Sequence, residues 1–477
     1  MNTPQRQPIG ALARLGTPYA GAPALMRSAL ADFNAKIIVL DDDPTGVQTV
    51  HDVYVYTDWE EETIRRGFLD ENRMFFILTN SRSFSARHTA AVHADIARRI
   101  CTVAKALRRD FVLISRGDST LRGHWPLETD TLRAGVEGEM GYCLDGEVIC
   151  PFFREGGRFT FGNVHYVQEG AALVPAGETE FAGDKTFGYT SSDLTQFVEE
   201  KTGGACAAAD CIAISLAALR AGDVEGVTEK LLAAHDYARI IVNAVDYRDL
   251  EVFCAAFLRA LGAGKHFLAR TAAAFPKVLA GVSDRPLLTQ AELTDGATCG
   301  GMVLVGSHVK KTTAQLDALR QSKSGKLEFI EFDVSTGLVP DGLAAEVARV
   351  VALAEAAIRA GTTAVVFTSR RLMTPDTADK DEILALSTRI SDAVTSVVGR
   401  LSVRPRFLVA KGGITSSDVG VKALGVKRAR VLGQIRKGVP VWLTGAESKF
   451  PGMPYIIFPG NVGEVSTLRE IVEELMN

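Results

Sequence analysis

Long apolar segments are missing from this 477-residue chain. No stretch reaches the roughly 18 consecutive apolar residues that a membrane-spanning helix needs, and the apolar runs in residues 1–34 are too short for a secretory signal. Charge of one sign is also scarce, because 53 Lys and Arg stand against 57 Asp and Glu, for a net charge of −4. We therefore expect neither a membrane nor a nucleic acid as partner.

Cysteine pairs of the kind that bind zinc or form disulfide frameworks are missing too. The chain has seven cysteines, which are scattered, and no two of them are spaced as C-x-x-C. Free, scattered thiols are typical of a reducing compartment. We expect a cytoplasmic protein.

Two familiar nucleotide-binding motifs are absent as well. The chain contains no G-x-x-x-x-G-K-[ST] loop and no G-x-G-x-x-G fingerprint, so neither a P-loop nor a dinucleotide-binding fold is predicted. A chain of this length is too long for one ordinary core, and two large domains are the default expectation.

Short buried strands alternate with helical patterns along the whole chain. Strands are predicted at 36–40, 74–79 and 111–115, each followed by a polar loop and then a helix, which is typical of a parallel sheet with crossover helices. A second strand–helix series starts at Met302. We predict an α/β protein of two domains, each a largely parallel sheet flanked by helices, with an active-site cleft between them. The boundaries are residues 1–35 for an N-terminal extension, 36–290 for the first domain and 296–477 for the second.

An acidic turn follows the first predicted strand. It reads Asp41-Asp42-Asp43-Pro44-Thr45-Gly46. Ligands of open α/β sheets bind at the carboxyl ends of the strands. Three adjacent carboxylates are hard to desolvate without a cation, a donor cluster or a shared proton, which favours a functional site. A solvated acidic loop is the alternative interpretation.

Two more polar loops follow strands of the same predicted sheet. One contains Asn80, Ser81 and Arg82, and the other runs from Asp118 to Arg122. Because the carboxyl ends of parallel strands meet at one edge, we expect these loops to lie beside the acidic turn. Arg82 and Arg122 indicate an anionic ligand, since guanidinium groups match carboxylates and phosphates. Taken alone, each arginine also fits a surface ion pair.

A Gly-Gly turn in the second half is a candidate phosphate site. A strand ends at Lys411-Gly412-Gly413, and a helix rich in Thr and Ser begins there. Such a turn presents backbone N–H groups and the positive end of a helix dipole, although an ordinary strand–helix turn has the same pattern. Acids and arginines in one half and a phosphate site in the other suggest phosphoryl transfer, with Mg²⁺ and a carboxylate that accepts the hydroxyl proton.

The acidic turn also fits a different enzyme class. Asp41-x-Asp43-x-Thr45 matches the D-x-D-x-T pattern of aspartyl-phosphate phosphatases of the haloacid dehalogenase type, in which the first Asp is the nucleophile and the second the general acid. That class also needs a Lys and a later acidic pair, which the sequence does not place convincingly. A non-catalytic protein that binds a sugar acid or a nucleotide is a third hypothesis.

Six short motifs, in order, make the chain resemble the four-carbon acid sugar kinase family. They are Asp42-Asp43-Pro44-Thr45-Gly46, Asp118-Ser119-Thr120-Leu121-Arg122-Gly123, Pro151 to Gly157-Arg158, Gly306-Ser307, Gly412-Gly413-Ile414-Thr415-Ser416 and Gly460-Asn461-Val462-Gly463. The resemblance implies an ATP-dependent kinase that phosphorylates the terminal hydroxyl of threonate, erythronate or an oxo-tetronate. It implies a sugar-acid domain followed by an ATP domain, with Mg²⁺ as cofactor and a homodimer as the assembly.

The same resemblance implies the site residues. The sugar acid would contact Asp42, Asp43, Thr45, Arg82, Asp118, Ser119, Thr120, Arg122 and Arg158. The nucleotide would contact Ser307, Gly412, Gly413, Ile414, Thr415, Gly460 and Asn461. Either Asp42 or Asp43 would accept the proton, and the metal ligands stay open. The chain departs from the family at Ile414, where an acid is frequent, and at Ser115-Arg116-Gly117, where the family is rich in lysine. These departures leave room for a different, larger hydroxy acid.

Overall fold

The protein, seen in a computed structural model, consists of two compact units. The structure describes residues 4–294, 296–307, 309–370, 380–460 and 462–477. The N-terminal unit comprises Met1–Thr49 and Asp58–Asp284, and the C-terminal unit comprises Val50–Thr57 and Arg285–Asn477. None of the helices in the described ranges is long and apolar enough to cross a membrane.

The strands, numbered in chain order, are spread over both units. They are β1 (Gln7–Pro8), β2 (Lys36–Asp41), β3 (Tyr54–Tyr56), β4 (Met74–Leu78), β5 (Phe111–Arg116), β6 (Gly146–Cys150), β7 (Arg158–Phe161), β8 (Val164–Glu169), β9 (Ala172–Pro175), β10 (Ile212–Ile214), β11 (Ala238–Val242), β12 (Phe267–Thr271), β13 (Met302–Val305), β14 (Leu327–Phe332), β15 (Thr363–Thr368), β16 (Leu408–Lys411), β17 (Arg428–Arg436), β18 (Val439–Thr444) and β19 (Pro454–Phe458).

The helices alternate with these strands, as the sequence pattern predicts. They are α1 (Ala11–Arg14), α2 (Ala22–Ala31), α3 (Glu61–Leu69), α4 (Ala86–Leu107), α5 (Leu127–Met140), α6 (Leu194–Lys201), α7 (Leu216–Ala221), α8 (Val224–Leu232), α9 (Tyr247–Gly262), α10 (Ala274–Ala280), α11 (Gln290–Leu293), α12 (Lys310–Arg320), α13 (Gly342–Arg359), α14 (Lys380–Arg400), α15 (Gly413–Asp418) and α16 (Thr467–Met476). Single turns of 3₁₀ helix lie at Ser81–Ser83 and Arg154–Gly156.

The N-terminal unit is built on a parallel sheet. The strand order is β10-β11-β6-β12-β5-β2-β4, and every neighbouring pair is parallel. The apolar, β-branched sequence of β2 is buried along its full length, as expected for a strand covered on both faces. The register aligns Asp41 with Arg116 and Arg116 with Thr271. The carboxyl ends of β2, β5 and β12 therefore form one edge, where the predicted polar loops begin.

A small antiparallel sheet, of order β1-β9-β8-β7, completes this unit. It includes the N-terminal segment, because Gln7 pairs with Leu173. The hairpin of β7 and β8 turns at Gly162-Asn163, as its sequence predicts. Apolar residues of this region pack with Leu121, in the Asp118 loop, and with Trp125, which follows the loop. The small sheet thus supports one of the loops at the edge of the large sheet.

The C-terminal unit has a mixed sheet of order β3-β17-β18-β19-β16-β13-β15-β14. The strands from β19 to β14 are parallel, as predicted, whereas β3, β17, β18 and β19 pair in antiparallel fashion. The hairpin of β17 and β18 is absent from the sequence-based prediction. Its first strand alternates buried and exposed residues, and this pattern is the signal that could have revealed it. Both units confirm the predicted α/β class with largely parallel sheets.

Candidate active site

Three acidic side chains and two arginines meet at the carboxyl end of β2. Arg116, the last residue of β5, donates from Nη1 to Asp41 Oδ1 at 3.0 Å and to Asp42 Oδ1 at 3.4 Å. Arg82 binds Asp42 through two bonds, from Nε to Oδ2 at 2.9 Å and from Nη2 to Oδ1 at 2.6 Å. It also donates to Asp43 Oδ2 at 3.1 Å. These ion pairs compensate the burial of the acidic turn, whose carboxylates repel one another.

The hydroxyl residue of the acidic turn braces Asp43. The backbone N–H of Thr45 donates to Asp43 Oδ1 at 2.7 Å, and its hydroxyl donates to the same oxygen. The next residue, Gly46, leaves space for Asp41, because a Cβ atom there would overlap the Asp41 carboxylate. The turn therefore requires the residue types that the sequence motif contains.

The Asp118 loop adds a second acid–arginine pair at this edge. Arg122 Nε donates to Asp118 Oδ2 at 2.7 Å, and the hydroxyl of Thr120 donates to the same oxygen. The backbone of the loop is also bonded to β8, because the Ser119 carbonyl accepts a hydrogen bond from His165 Nε2 at 2.8 Å. Burial lowers the pKa of His165 to about 4, so this imidazole is neutral and the bond persists at ordinary pH. The loop is thus rigidly supported.

Arg158, at the start of β7, joins the cluster without an ion pair. Its Nη1 donates to the Gly156 carbonyl, and its guanidinium lies 5.7 Å from the ring centre of Phe181. Arg122 lies over the same ring at 5.0 Å. The Nε of Arg158 is buried and has no partner among the described residues. The nine residues predicted for the sugar acid therefore lie in one region, and their contacts with a sugar acid stay a prediction.

Three charged residues of this region were missed by the sequence analysis as site residues. Arg116 and Arg270 are the charged residues of the strands β5 and β12, and Glu128 lies in the first turn of α5. Glu128 is buried and accepts hydrogen bonds from the hydroxyls of Ser81 at 3.1 Å and Ser115 at 3.4 Å. An arginine near the end of an otherwise apolar strand is the signal that could have identified the first two.

Burial and arginine contacts set different pKa values for these carboxyls. Burial raises the pKa of Asp41 to about 7, against the opposing effect of Arg116, and it also raises the pKa of Asp42. Burial acts in the same sense on Asp43 and Asp118, but nearby guanidiniums outweigh it and hold both pKa values below the usual range. Asp43 and Asp118 therefore carry full negative charge at neutral pH, whereas Asp41 does not.

The predicted nucleotide residues converge within the C-terminal unit. Gly412, between β16 and α15, has a φ of +128°, and a Cβ there would lie 3.1 Å from both Ser307 Cβ and Thr415 Oγ1. Thr312 donates to the Ser307 hydroxyl at 3.3 Å and to the Gly460 carbonyl at 3.2 Å. Three loops thus meet at the carboxyl ends of β13, β16 and β19. Gly413 begins α15, Ile414 is 65% exposed, and Asn461 lies outside the described residues.

Lys411, which the sequence analysis did not assign, ties two of these loops together. Its side chain is fully buried, and Nζ donates to the carbonyl oxygens of Pro459 and of Gly460, the latter at 3.1 Å. Nζ also lies 4.0 Å from the centre of the Phe458 ring. Burial, together with Lys311, lowers the pKa of Lys411 to about 7. This lysine fixes the position of the Gly460 turn relative to Gly412.

A protein metal centre needs several ligating side chains grouped together. Within the described ranges, no group of three or more His, Cys, Asp or Glu side chains could hold a metal ion. The nearest candidates, the carboxylates of the acidic turn, are engaged by Arg82 and Arg116. Mg²⁺ in phosphoryl-transfer enzymes needs only one or two carboxylates plus substrate phosphates, so the predicted Mg²⁺ stays a prediction.

Family models identify both halves of the chain. Residues 37–279 match a sugar-binding N-terminal domain, and residues 302–468 match a nucleotide-binding C-terminal domain. The two together are the architecture of the four-carbon acid sugar kinases. The chain belongs to this family. The first match contains the whole acid–arginine cluster, and the second contains the loops around Gly412.

Solved structures share the fold at low sequence identity. The Haemophilus influenzae protein HI1011, of the family of unknown function DUF1537, is 18% identical, with a TM-score of 0.59 over 92% of this chain and 100% of that one. A Salmonella typhimurium LT2 protein, provisionally named a tRNA synthase, is 17% identical, with a TM-score of 0.63 over 92% and 99%. Among curated proteins, none matches this chain significantly.

The buried Lys411 predicts a pH dependence of stability. Its pKa is about 7 in the folded chain and 10.5 ordinarily, so between these values the unfolded state binds more protons and stability rises with pH. We expect about 2 kcal/mol more free energy of unfolding at pH 9 than at pH 7 from this group. Denaturant unfolding of the wild type and of Lys411→Met measures it, and the variant should lack this increment. The variant of an exposed lysine, Lys437→Met, is the control. If the unfolding free energy of Lys411→Met rose with pH as much as that of the wild type, the lowered pKa of Lys411 would be contradicted.

Proposed function

We propose that this protein is an ATP-dependent kinase that phosphorylates the terminal hydroxyl of a four-carbon sugar acid of the threonate, erythronate or oxo-tetronate type. Membership of the family supports the class of reaction. The observation that carries the proposal is the cluster at the carboxyl ends of β2, β5 and β12, which combines carboxylates with guanidinium groups, two of which, those of Arg158 and Arg270, form no ion pair within the described residues. A cytoplasmic location and a homodimer stay predictions.

The balance of charge in the N-terminal unit favours an anionic ligand. Five guanidinium groups belong to the cluster, those of Arg82, Arg116, Arg122, Arg158 and Arg270. Burial disfavours the charge on two of the carboxyls, Asp41 and Asp42. Arg158 and Arg270 have no ion pair among the described residues, and an anion that entered the cluster would supply one.

Asp43 is the better candidate for the group that accepts the hydroxyl proton. The side chain of Asp42 is 3% exposed and both of its oxygens are bonded to Arg82, whereas the side chain of Asp43 is 19% exposed. A general base must lie within hydrogen-bond reach of the substrate, and Asp43 is the carboxylate that solvent reaches. Its lowered pKa keeps it ionised over the whole neutral range.

The C-terminal unit supports ATP as the phosphoryl donor. Gly412 and Gly413 form a turn without side chains between a strand and a helix, and the hydroxyls of Ser307 and Thr415 line it. Backbone N–H groups and hydroxyls at such a turn match phosphate oxygens. Bound Mg²⁺ would neutralise charge on the phosphates.

The structure argues against the phosphatase hypothesis. In that mechanism Asp41 would be the nucleophile, which must reach a phosphate ester. The Asp41 side chain is 2% exposed, is bonded to Arg116 and faces Gly46. A carboxyl group in this position is structural. The third hypothesis, a non-catalytic binder, stays open, and turnover separates it from the kinase.

The first test is ADP release from Mg·ATP with a panel of four-carbon acids, measured in a coupled assay. The panel contains D- and L-threonate, D- and L-erythronate and the oxo-tetronates. We expect turnover with at least one acid. ATP binding without turnover on any acid would contradict the four-carbon substrate, and the absence of ATP binding would overturn the kinase.

Replacement of Asp43 by Asn tests the proton acceptor. The carboxamide keeps the shape and can still contact Arg82 and Thr45 but accepts a proton poorly, so we expect kcat to fall by about 10² to 10⁴-fold. ATP affinity, measured by calorimetry, should stay within a factor of three. The exposed Asp236→Asn is the matched control. A kcat close to that of the wild type would exclude Asp43 as the base.

Replacement of Gly412 by Ala tests the phosphate turn. A Cβ atom would press on Ser307 and Thr415, and the φ of +128° is unfavourable for alanine. We expect ATP affinity to fall by about tenfold or more. Gly425→Ala is the control in the same unit, because Gly425 also has a positive φ, +62°, but its Cβ would meet nothing within 4 Å. Equal ATP affinity in both variants would contradict this site.

A further inference from the structure

Arg270 is a buried cation without an ion pair. It lies on β12 and is 6% exposed. Nη2 donates to the Arg122 carbonyl at 3.1 Å and Nη1 to the Thr271 carbonyl at 3.3 Å, while the buried Nε has no partner. Two of its five N–H groups are therefore used, both by neutral carbonyls. No carboxylate of the described chain lies within ion-pair distance of it, in contrast to Arg82, Arg116 and Arg122.

The burial of this guanidinium has a cost that its neighbours do not offset. Burial lowers the pKa of Arg270, although the more distant Glu128, Asp42 and Asp118 oppose this. A buried charge is ordinarily paired, since desolvation costs several kcal/mol per ion. Arg82 satisfies this rule with two carboxylates and its pKa is raised. The difference between Arg82 and Arg270 shows that Arg270, like Arg158, lacks a carboxylate partner among the described residues.

Two glycines, one on each side of the Asp118 loop, lie next to the guanidinium of Arg270. A Cβ on Gly117 would lie 2.5 Å from Arg270 Cζ, so the backbone runs directly against the guanidinium. Gly123 has a φ of +129°, and a Cβ there would lie 3.6 Å from Arg270 Nη2 and 3.7 Å from Asp42 Oδ2. Apart from the adjacent residues, no other heavy atom of the described chain lies within 4 Å of that position. A small space therefore touches a cation on one side and a carboxylate on the other.

We propose that Arg270 binds the carboxylate of the sugar acid in the space beside Gly123 and thereby makes the enzyme specific for acids over uncharged polyols. A hydroxy acid matches this space, because its carboxylate accepts hydrogen bonds from the guanidinium and its hydroxyl groups donate to Asp42. The inference rests on the proposed function for the identity of the ligand. It adds the residue that recognises the negative charge of the ligand. Neither the sequence motifs nor the family models assign this residue.

Substrate pairs that differ only in the carboxylate test this proposal. D-Erythronate is compared with erythritol, and D-threonate with threitol, in which a hydroxymethyl group replaces the carboxylate. Affinity without nucleotide is measured by calorimetry, and kcat/KM with Mg·ATP by ADP release. We expect the wild type to prefer each acid. In Arg270→Gln, affinity and kcat/KM for the acid should fall by about 10- to 100-fold, as for the loss of a charged hydrogen bond, while the polyol values change by less than about threefold.

Conservative variants keep the test informative if Arg270→Gln folds poorly. Arg270→Lys retains the charge and should recover part of the preference for acids. Gly123→Ala fills the space without altering any charge, and we expect it to weaken acid binding by about tenfold or more. Gly264→Ala is its matched control, because Gly264 also has a positive φ, +92°, and its Cβ would meet nothing within 4 Å. Unfolding midpoints check that each variant is folded.

The outcomes separate this inference from the proposed function. If the wild type binds an acid but releases no ADP, the kinase fails and the role of Arg270 is still decided by the binding data. If Arg270→Gln loses affinity for acid and polyol equally, or retains the acid affinity of the wild type, Arg270 does not read the carboxylate. If it loses acid affinity alone, the inference stands.

Discussion

The acid–guanidinium pairing at the end of β2 is the interaction on which the N-terminal unit depends. Three consecutive carboxylates follow a fully buried strand, and such charges are stable there only when cations accompany them. Arg116 supplies one of those cations from the end of β5, and Arg82 supplies the other from the 3₁₀ turn after β4. The parallel register of β2, β4 and β5 brings them to one edge. The pairing of charges at the site therefore depends on the order and register of these strands.

The remaining features of this unit follow from the same constraint. Gly46 is small because the Asp41 carboxylate occupies the space beside it. The Asp118 loop is held by the neutral His165 and by the small antiparallel sheet, since a loop that carries charge next to the acidic turn must be kept in place. After this pairing, the guanidinium of Arg270 is left without a carboxylate partner among the described residues.

The C-terminal unit uses a different device to shape its loops. Its turns approach one another closely because glycine occupies position 412, and the buried Lys411 bonds to the carbonyls of the opposite loop instead of to an acid. Backbone groups and hydroxyls, with little fixed negative charge, line this region. Under the proposed function, such a surface would bind phosphate oxygens, whereas the N-terminal unit would bind the sugar acid. The two chemistries match the two family models.

The sequence by itself determined the α/β class, the strands that carry the site and most of the residues around it. It did so because buried parallel strands are short apolar runs, and because Asp42, Arg82 and Asp118 directly follow such runs. The hairpin of β17 and β18 was not predicted from the sequence. Its strands are adjacent in the chain and antiparallel, and their alternation of buried and exposed positions is only a weak signal. Likewise, no local pattern suggested that Val50–Thr57 belongs to the C-terminal unit.

Only the tertiary structure decided which charges are paired and which are not. Arg116 and Arg270 look alike in sequence, as single arginines near the ends of apolar strands, yet one neutralises Asp41 and Asp42 and the other contacts only carbonyl groups. Asp41 and Asp43 are two residues apart, but one has a raised pKa and the other a lowered pKa. These differences arise from burial and from neighbours distant in the chain, and the sequence of one strand contains neither.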